Sequence, residues 1–190
     1  MKHMFLVFSI IICFSCNNVN KTFFKVIEEQ RDVPAKEVEK YYRITLESAH
    51  IPINYPIDVS RYSEKEKLQM INELLKFKDN DKICVFNISN YSAKVSQIYI
   101  KSKRDYSLQL EALFLINQVF FDKPFDYSPI PILIDNKTGE EQTVKGEIIE
   151  EAYEKYEKWY NKIKKIGIKE SLNRKVYPLD ESNISWIYGS

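Results

Sequence analysis

Few side chains in this 190-residue chain combine the types and spacing that chemistry needs. His50, the one histidine beyond the N-terminal segment, is a candidate general base or metal ligand. Zinc takes several His, Cys or carboxylate ligands, and no second histidine accompanies it. A cation at a helix end, just before Pro52, is its plainer role. Cys84 with His50 would make a nucleophile and base. Its neighbours Ile83, Val85 and Phe86 mark it instead as a small buried hydrophobe. Asp135 to Glu140 crowds oxygens into a short turn, but Lys137 and the spacing break a calcium-loop pattern and leave a hairpin turn. Glu140, Glu141 and Glu147 would serve a hydrolase of sugar polymers if they faced one another across a cleft. Acids at a hairpin and at a helix start also have ordinary structural uses. Tyr153 and Tyr160, seven apart on one helical flank, offer aromatic faces to a protein or glycan partner, unless they form the edge of a helix contact. The chain has no glycine-rich phosphate loop, no G-x-S-x-G elbow and no paired metal histidines. These residues predict a domain that binds rather than one that catalyses, with no cofactor and no metal.

Location is more legible than chemistry. Lys2 and His3 precede an apolar run from Met4 to Ile12, and Ser15 is a small residue of the kind found at a cleavage site. The run is too short to span a bilayer, which takes about 20 apolar residues. The order Cys13-Phe14-Ser15-Cys16 resembles the lipobox of bacterial lipoproteins, a likeness that covers this segment alone. The resemblance implies removal of residues 1–15 and acylation of Cys16, which would anchor the protein to a membrane. Two or more acyl chains give stable anchoring where one gives marginal binding. Asn17, following the cysteine, resembles outer-membrane rather than inner-membrane sorting. With Cys13 removed and Cys16 acylated, Cys84 has no partner for a disulfide, so the exported domain would rely on its core.

Composition narrows the remainder. Without Lys2 the chain carries 27 basic residues against 27 acidic ones, so bulk charge gives no case for nucleic acid or for anionic lipid. Thirteen Tyr and eleven Phe supply core material, and only four Gly argue against a turn-dense β-sandwich. The 175 residues left after cleavage suffice for one domain with a substantial core.

Four helices are expected to position these residues. The first runs from Pro34 to Ala49, with Pro34 in its first turn and Val38, Tyr41 or Tyr42, Thr45 and Ala49 at helical spacing. Ser63 and Glu66 form a capping box at the head of the second. The third, Ser107 to Phe121, is apolar nearly all round and predicts a central helix covered on most sides. The fourth, Glu147 to Ile166, carries the stripe Ile148, Ala152, Tyr156, Trp159, Ile163 and Ile166, with glutamates leading and lysines trailing to match the helix dipole. Residues 83–100 fit helix or strand, and short helices are favoured. Ile132–Ile134 and Gln142–Val144 would pair as a hairpin around Gly139. Trp186, Ile187 and Tyr188 give the tail enough apolar surface to dock.

The expected organisation is a signal peptide at 1–15, a lipid-anchored tether at 16–32 and one compact, mainly α domain at 33–190 with a small β-hairpin; α+β is the alternative. The expected function is that of an envelope lipoprotein whose non-catalytic domain binds a protein or glycan partner near the membrane. The alternatives are an immunity or inhibitor lipoprotein guarding against a toxin or lytic enzyme, and a carboxylate-based hydrolase of envelope polymers.

Overall fold

A computed structural model describes residues 21–31, 39–49, 57–84 and 105–189. Within them lie two β-sheets as well as the helices, so the fold is α+β and the mainly α expectation is corrected. The first sheet has four strands in the order β1 (Phe24–Arg31), β2 (Glu39–Leu46), β3 (Ile83–Cys84) and β4 (Tyr106–Ser107). Strands β1 and β2 are antiparallel along their whole length, from Phe24 opposite Leu46 to Arg31 opposite Glu39. Strand β3 joins β2 in parallel at Cys84 and Tyr42, and β4 closes on β3 antiparallel.

The helix expected over Pro34–Ala49 is therefore strand at residues 39–46. Tyr42, Ile44 and Leu46 recur at every second position, and aromatic and β-branched residues suit a pleated surface. Helical spacing through Tyr42 and Thr45 fits the same letters, and the partner strand decides between them. That partner, β1, lies inside the segment expected to be a tether. Phe23 and Phe24 at its head are buried, so the folded body begins before residue 33. Of the stretch 83–100, residues 83–84 are strand and the remainder lies outside the described residues. Cys13, Cys16 and His50 lie outside them too.

Helix α1 (Glu64–Leu75) starts at the capping box read from sequence: the Ser63 hydroxyl accepts from the Glu66 N–H, and the Glu66 carboxylate accepts from the Ser63 N–H at 3.0 Å. Helix α2 (Leu108–Phe120) is the expected central helix, with every residue buried. Three of its four polar residues, Gln109, Glu111 and Asn117, act as fasteners. Gln109 Nε2 donates to the Val144 carbonyl at 2.8 Å, the Glu111 carboxylate accepts from Ile44 N–H at 2.9 Å, and Asn117 Oδ1 accepts from the Tyr156 hydroxyl at 2.8 Å. A buried polar group left unpaired is costly, so each bond fixes where a neighbour docks.

The short helix α3 (Pro124–Tyr127) follows. The expected hairpin is present as β5 (Leu133–Asp135) and β6 (Glu141–Gln142), and β7 (Ile184–Trp186) adds to the other edge of β5. Helix α4 (Glu147–Ile166) buries Ile148, Ala152, Tyr156, Trp159 and Ile163 of its expected stripe and leaves Ile166, at its last turn, half-buried. Its start is capped from outside the helix: Gln142 Oε1 accepts from the N–H groups of Ile148 and Ile149 at 3.0 and 3.4 Å. The Gln142 amide occupies the place a Cβ on Gly146 would need, and Gly146 sits at φ 151°, so glycine is required there. Helix α5 (Ile168–Asn173) begins at once after Gly167, and the Glu64 carboxylate of α1 caps it by accepting from Ile168 N–H at 3.1 Å.

Candidate functional site

The C-terminal tail returns over α3 and the second sheet, and a groove of about 420 Å³ forms where it crosses. Half-buried Tyr177 gives it an aromatic wall, with Tyr127 and Trp186 buried behind the lining, and Asn136, Lys175 and Asp180 stand at its polar margin. The wall and its backing are held by neighbours. Phe121 stacks on Tyr127 with ring centroids 4.3 Å apart and meets Tyr177 edge-on at 5.2 Å. The Tyr127 hydroxyl accepts from Leu179 N–H at 3.2 Å, and burial pushes its pKa up, so it remains a neutral phenol. Trp186 Nε1 donates to the Tyr156 hydroxyl at 2.9 Å, which in turn donates to Asn117, a buried chain from β7 through α4 to α2.

The tail is equally constrained. Trp159 Nε1 donates to the Val176 carbonyl at 3.0 Å, and Asp180 Oδ2 accepts from Tyr177 N–H at 2.7 Å. Lys175, Glu181 and Tyr188 adopt φ of 53°, 62° and 57°, which non-glycine residues rarely do. Three such residues in one tail show a path set by tertiary contacts rather than local preference. The result is a preformed concavity with an apolar aromatic wall and margin groups of both charges, the usual makeup of a recognition site.

A second concavity, about 590 Å³ and more hydrophilic, runs beside α1 and is lined by Lys21, Thr22, Gln69, Asn72, Glu73, Lys76 and Asn80, with Phe77 its one aromatic side chain. Glu73 is not free there: its carboxylate accepts from Phe23 N–H at 2.9 Å and Phe24 N–H at 3.0 Å, pinning the start of β1 to the helix.

No protein family, characterised protein or solved structure matches this chain.

Most of the residues singled out from sequence prove structural. Tyr153 is fully buried and its hydroxyl donates to the Gln109 carbonyl at 2.9 Å, so the expected partner-facing role is corrected for it. Tyr160 is half-buried at the core edge, with Lys164 Nζ 5.4 Å from its ring centre. Periodicity places the two on one flank but does not say that α2 covers the first. Cys84 is buried, and desolvation, then the Glu111 charge, raise its thiol pKa well above the usual value, the opposite of an activated nucleophile. Asp135 Oδ1 accepts from Lys137 N–H at 2.7 Å, and Gly139 takes φ 75°, which together make the hairpin turn. Glu140, Glu141 and Glu147 lie on the hairpin arm and the first turn of α4, and line neither concavity described above. Among the described residues no group of three His, Cys, Asp or Glu could hold a metal, and no helix is long and apolar enough to cross a membrane. The groove residues Tyr127 and Tyr177 escape sequence reading because 49 intervening residues bring them together only in the folded chain. Aromatic richness was the only signal.

Proposed function

We propose that the protein is an exported lipoprotein of the cell envelope, anchored through acyl chains on Cys16, more at home in the outer than the inner membrane. Its domain binds a partner near the membrane and catalyses nothing. The lipobox-like segment supports the anchoring. The observation that carries the binding role is the preformed aromatic groove between α3 and the tail, with Lys175 and Asp180 at its margin. An aromatic wall joined to charges of both signs favours a protein partner, since buried aromatics at a polar rim supply most of the energy at protein interfaces. A glycan ligand is the competing outcome of the test, and a captured toxin or lytic enzyme would make the protein an immunity lipoprotein.

A photo-crosslinking residue at Lys175 in living cells tests this reading. One dominant protein adduct is expected, lost when Tyr177→Ala is added to a chain whose circular dichroism and melting are unchanged. An adduct that survives Tyr177→Ala, or binding of purified envelope glycan without any protein adduct, would move the function away from protein recognition at this groove.

A further inference from the structure

We propose that the protein pairs with a second copy of itself along β1, joining their two four-stranded sheets across a two-fold axis at Ile27. The inference depends neither on the aromatic groove nor on acylation of Cys16.

The edge itself comes first. Strand β1 closes one end of the four-stranded sheet and is eight residues long. Along an antiparallel pair, positions that bond the partner strand alternate with positions that do not. Glu47 N–H bonds the Phe23 carbonyl, so Lys25, Ile27, Glu29 and Arg31 direct their main-chain groups to β2. Phe24, Val26, Glu28 and Gln30 turn theirs out of the sheet. Two contacts confirm this phase. Phe24 sends its N–H to Glu73 at 3.0 Å, and Ile44, opposite Val26, sends its N–H away from β1 to Glu111. Glu73 thus seals the head of the edge. Among the described residues none bonds the main chain of Val26, Glu28 or Gln30 on the outer side. An unpaired strand edge of this length is a template for another strand.

The residues of β1 select a second copy as that strand. A two-fold axis presents one strand antiparallel to itself, so each contact occurs twice. The strand carries two basic and two acidic residues, so copies do not repel as wholes. With the axis at Ile27, the outward groups of Val26 meet those of Glu28 in the second copy. Lys25 then stands opposite Glu29, and Ile27 stands opposite itself. Moving the axis to position 28 sets Glu28 against Glu28 and Lys25 against Arg31. Moving it to position 26 sets Lys25 against Ile27 and matches no charges. Opposite charges directly across a pair of strands stabilise it, and like charges destabilise it. The charges therefore favour one register of self-pairing. Glu28 is matched within its own chain by Lys40 at 3.0 Å, so it brings no unmatched charge beside Val26. Val26, 42 % exposed, is one of two large hydrophobic residues left open among those described, and the second strand would lie beside it.

Cross-linking in membranes from cells that make the full chain tests the register. Facing residues of a non-bonded pair lie about 4.5 Å apart at Cα, within reach of a disulfide. Ile27→Cys should therefore link to its own copy on oxidation. Lys25→Cys, on the same side of the strand, stands four residues or about 13 Å from its copy and should link several-fold less. Wild-type protein sets the background from its own cysteines, of which Cys84 is buried. Sedimentation of the protein purified in mild detergent is the second measurement. Two chains per particle are expected. Lys25→Glu should weaken association several-fold with melting unchanged, and adding Glu29→Lys should restore it. Single chains at every concentration, linking at 25 equal to that at 27, or no restoration by the charge exchange overturns the proposal. Linking of position 27 to a different protein also overturns it, and makes this edge a site for a foreign strand.

Discussion

The two sheets are fastened to the helical core by different chemistry. The N-terminal sheet hangs on carboxylates: Glu73 holds the head of β1, Glu111 holds Ile44 in β2, and Lys21 just before β1 reaches Glu66. The C-terminal sheet hangs on neutral aromatic groups: Trp186 of β7 donates to Tyr156, which donates to Asn117. Phe114 adds an edge-on ring contact to Trp186 at 6.0 Å. Of these carboxylates Glu66 is the one held well below its ordinary range, so it is the fastening that yields to acid, whereas Glu111 and the Trp186–Tyr156–Asn117 chain are buried. The N-terminal sheet thus has an acid-sensitive edge, and the groove end is held by neutral groups.

Removing the largest aromatic fastener should break this contrast most strongly. Trp186→Ala vacates a fully buried site and leaves the Tyr156 hydroxyl without its donor, so a loss of about 3–5 kcal/mol is expected in urea unfolding. Tyr156→Phe keeps the ring and deletes only the junction of the chain. It leaves the Trp186 N–H and Asn117 Oδ1 without this partner and should cost about 1–3 kcal/mol. A smaller loss than for Glu73→Ala would reverse the ranking of the two ends.

Glu73→Ala frees two backbone N–H groups at the head of β1 and should cost about 1–2 kcal/mol. Its signature is local: hydrogen exchange at Phe23 and Phe24 should quicken while Ile184 to Trp186 stay protected. Exchange rising equally in both sheets would show one cooperative unit. The smallest effect concerns acid. Lys21, then Ser63, hold the Glu66 carboxyl at about 2, below its ordinary 4.5. A carboxyl depressed in the folded state stabilises above its unfolded pKa and loses that contribution as pH falls from 4.5 towards 2. Over that window the protection factors of the Ser63 and Glu66 amides, corrected for the intrinsic rate, should fall, with no matching change around Trp186. Glu66→Gln should flatten this dependence.

The sequence was most legible where one segment carries its own signal. The capping box at Ser63, the all-round apolar pattern of Leu108–Phe120, the Ile148 to Ile163 stripe and the turn at Gly139 are each local. The four-stranded sheet was not, because Tyr42, Ile44 and Thr45 suit two periods and only β1 chooses between them. Tyr153 was misplaced for a related reason, since spacing orients a side chain but does not name its neighbour. The groove was invisible because Tyr127, Tyr177 and Trp186 converge through a tail whose turns run against local preference at Lys175 and Glu181.

Helix α1 holds Phe23 and Phe24 through Glu73, and Ile168 through Glu64, bonds that close loops of 50, 49 and 104 residues. Contacts so distant along the chain form late, after the cost of ordering the intervening segments has been met. As the chain lengthens from its N-terminus, the first clasp can close once α1 is complete. The second waits for Ile168 and so for nearly the whole chain. The same helix thus marks an early and a late moment in folding, and an unfinished molecule would leave Glu64 as an open hand on its surface.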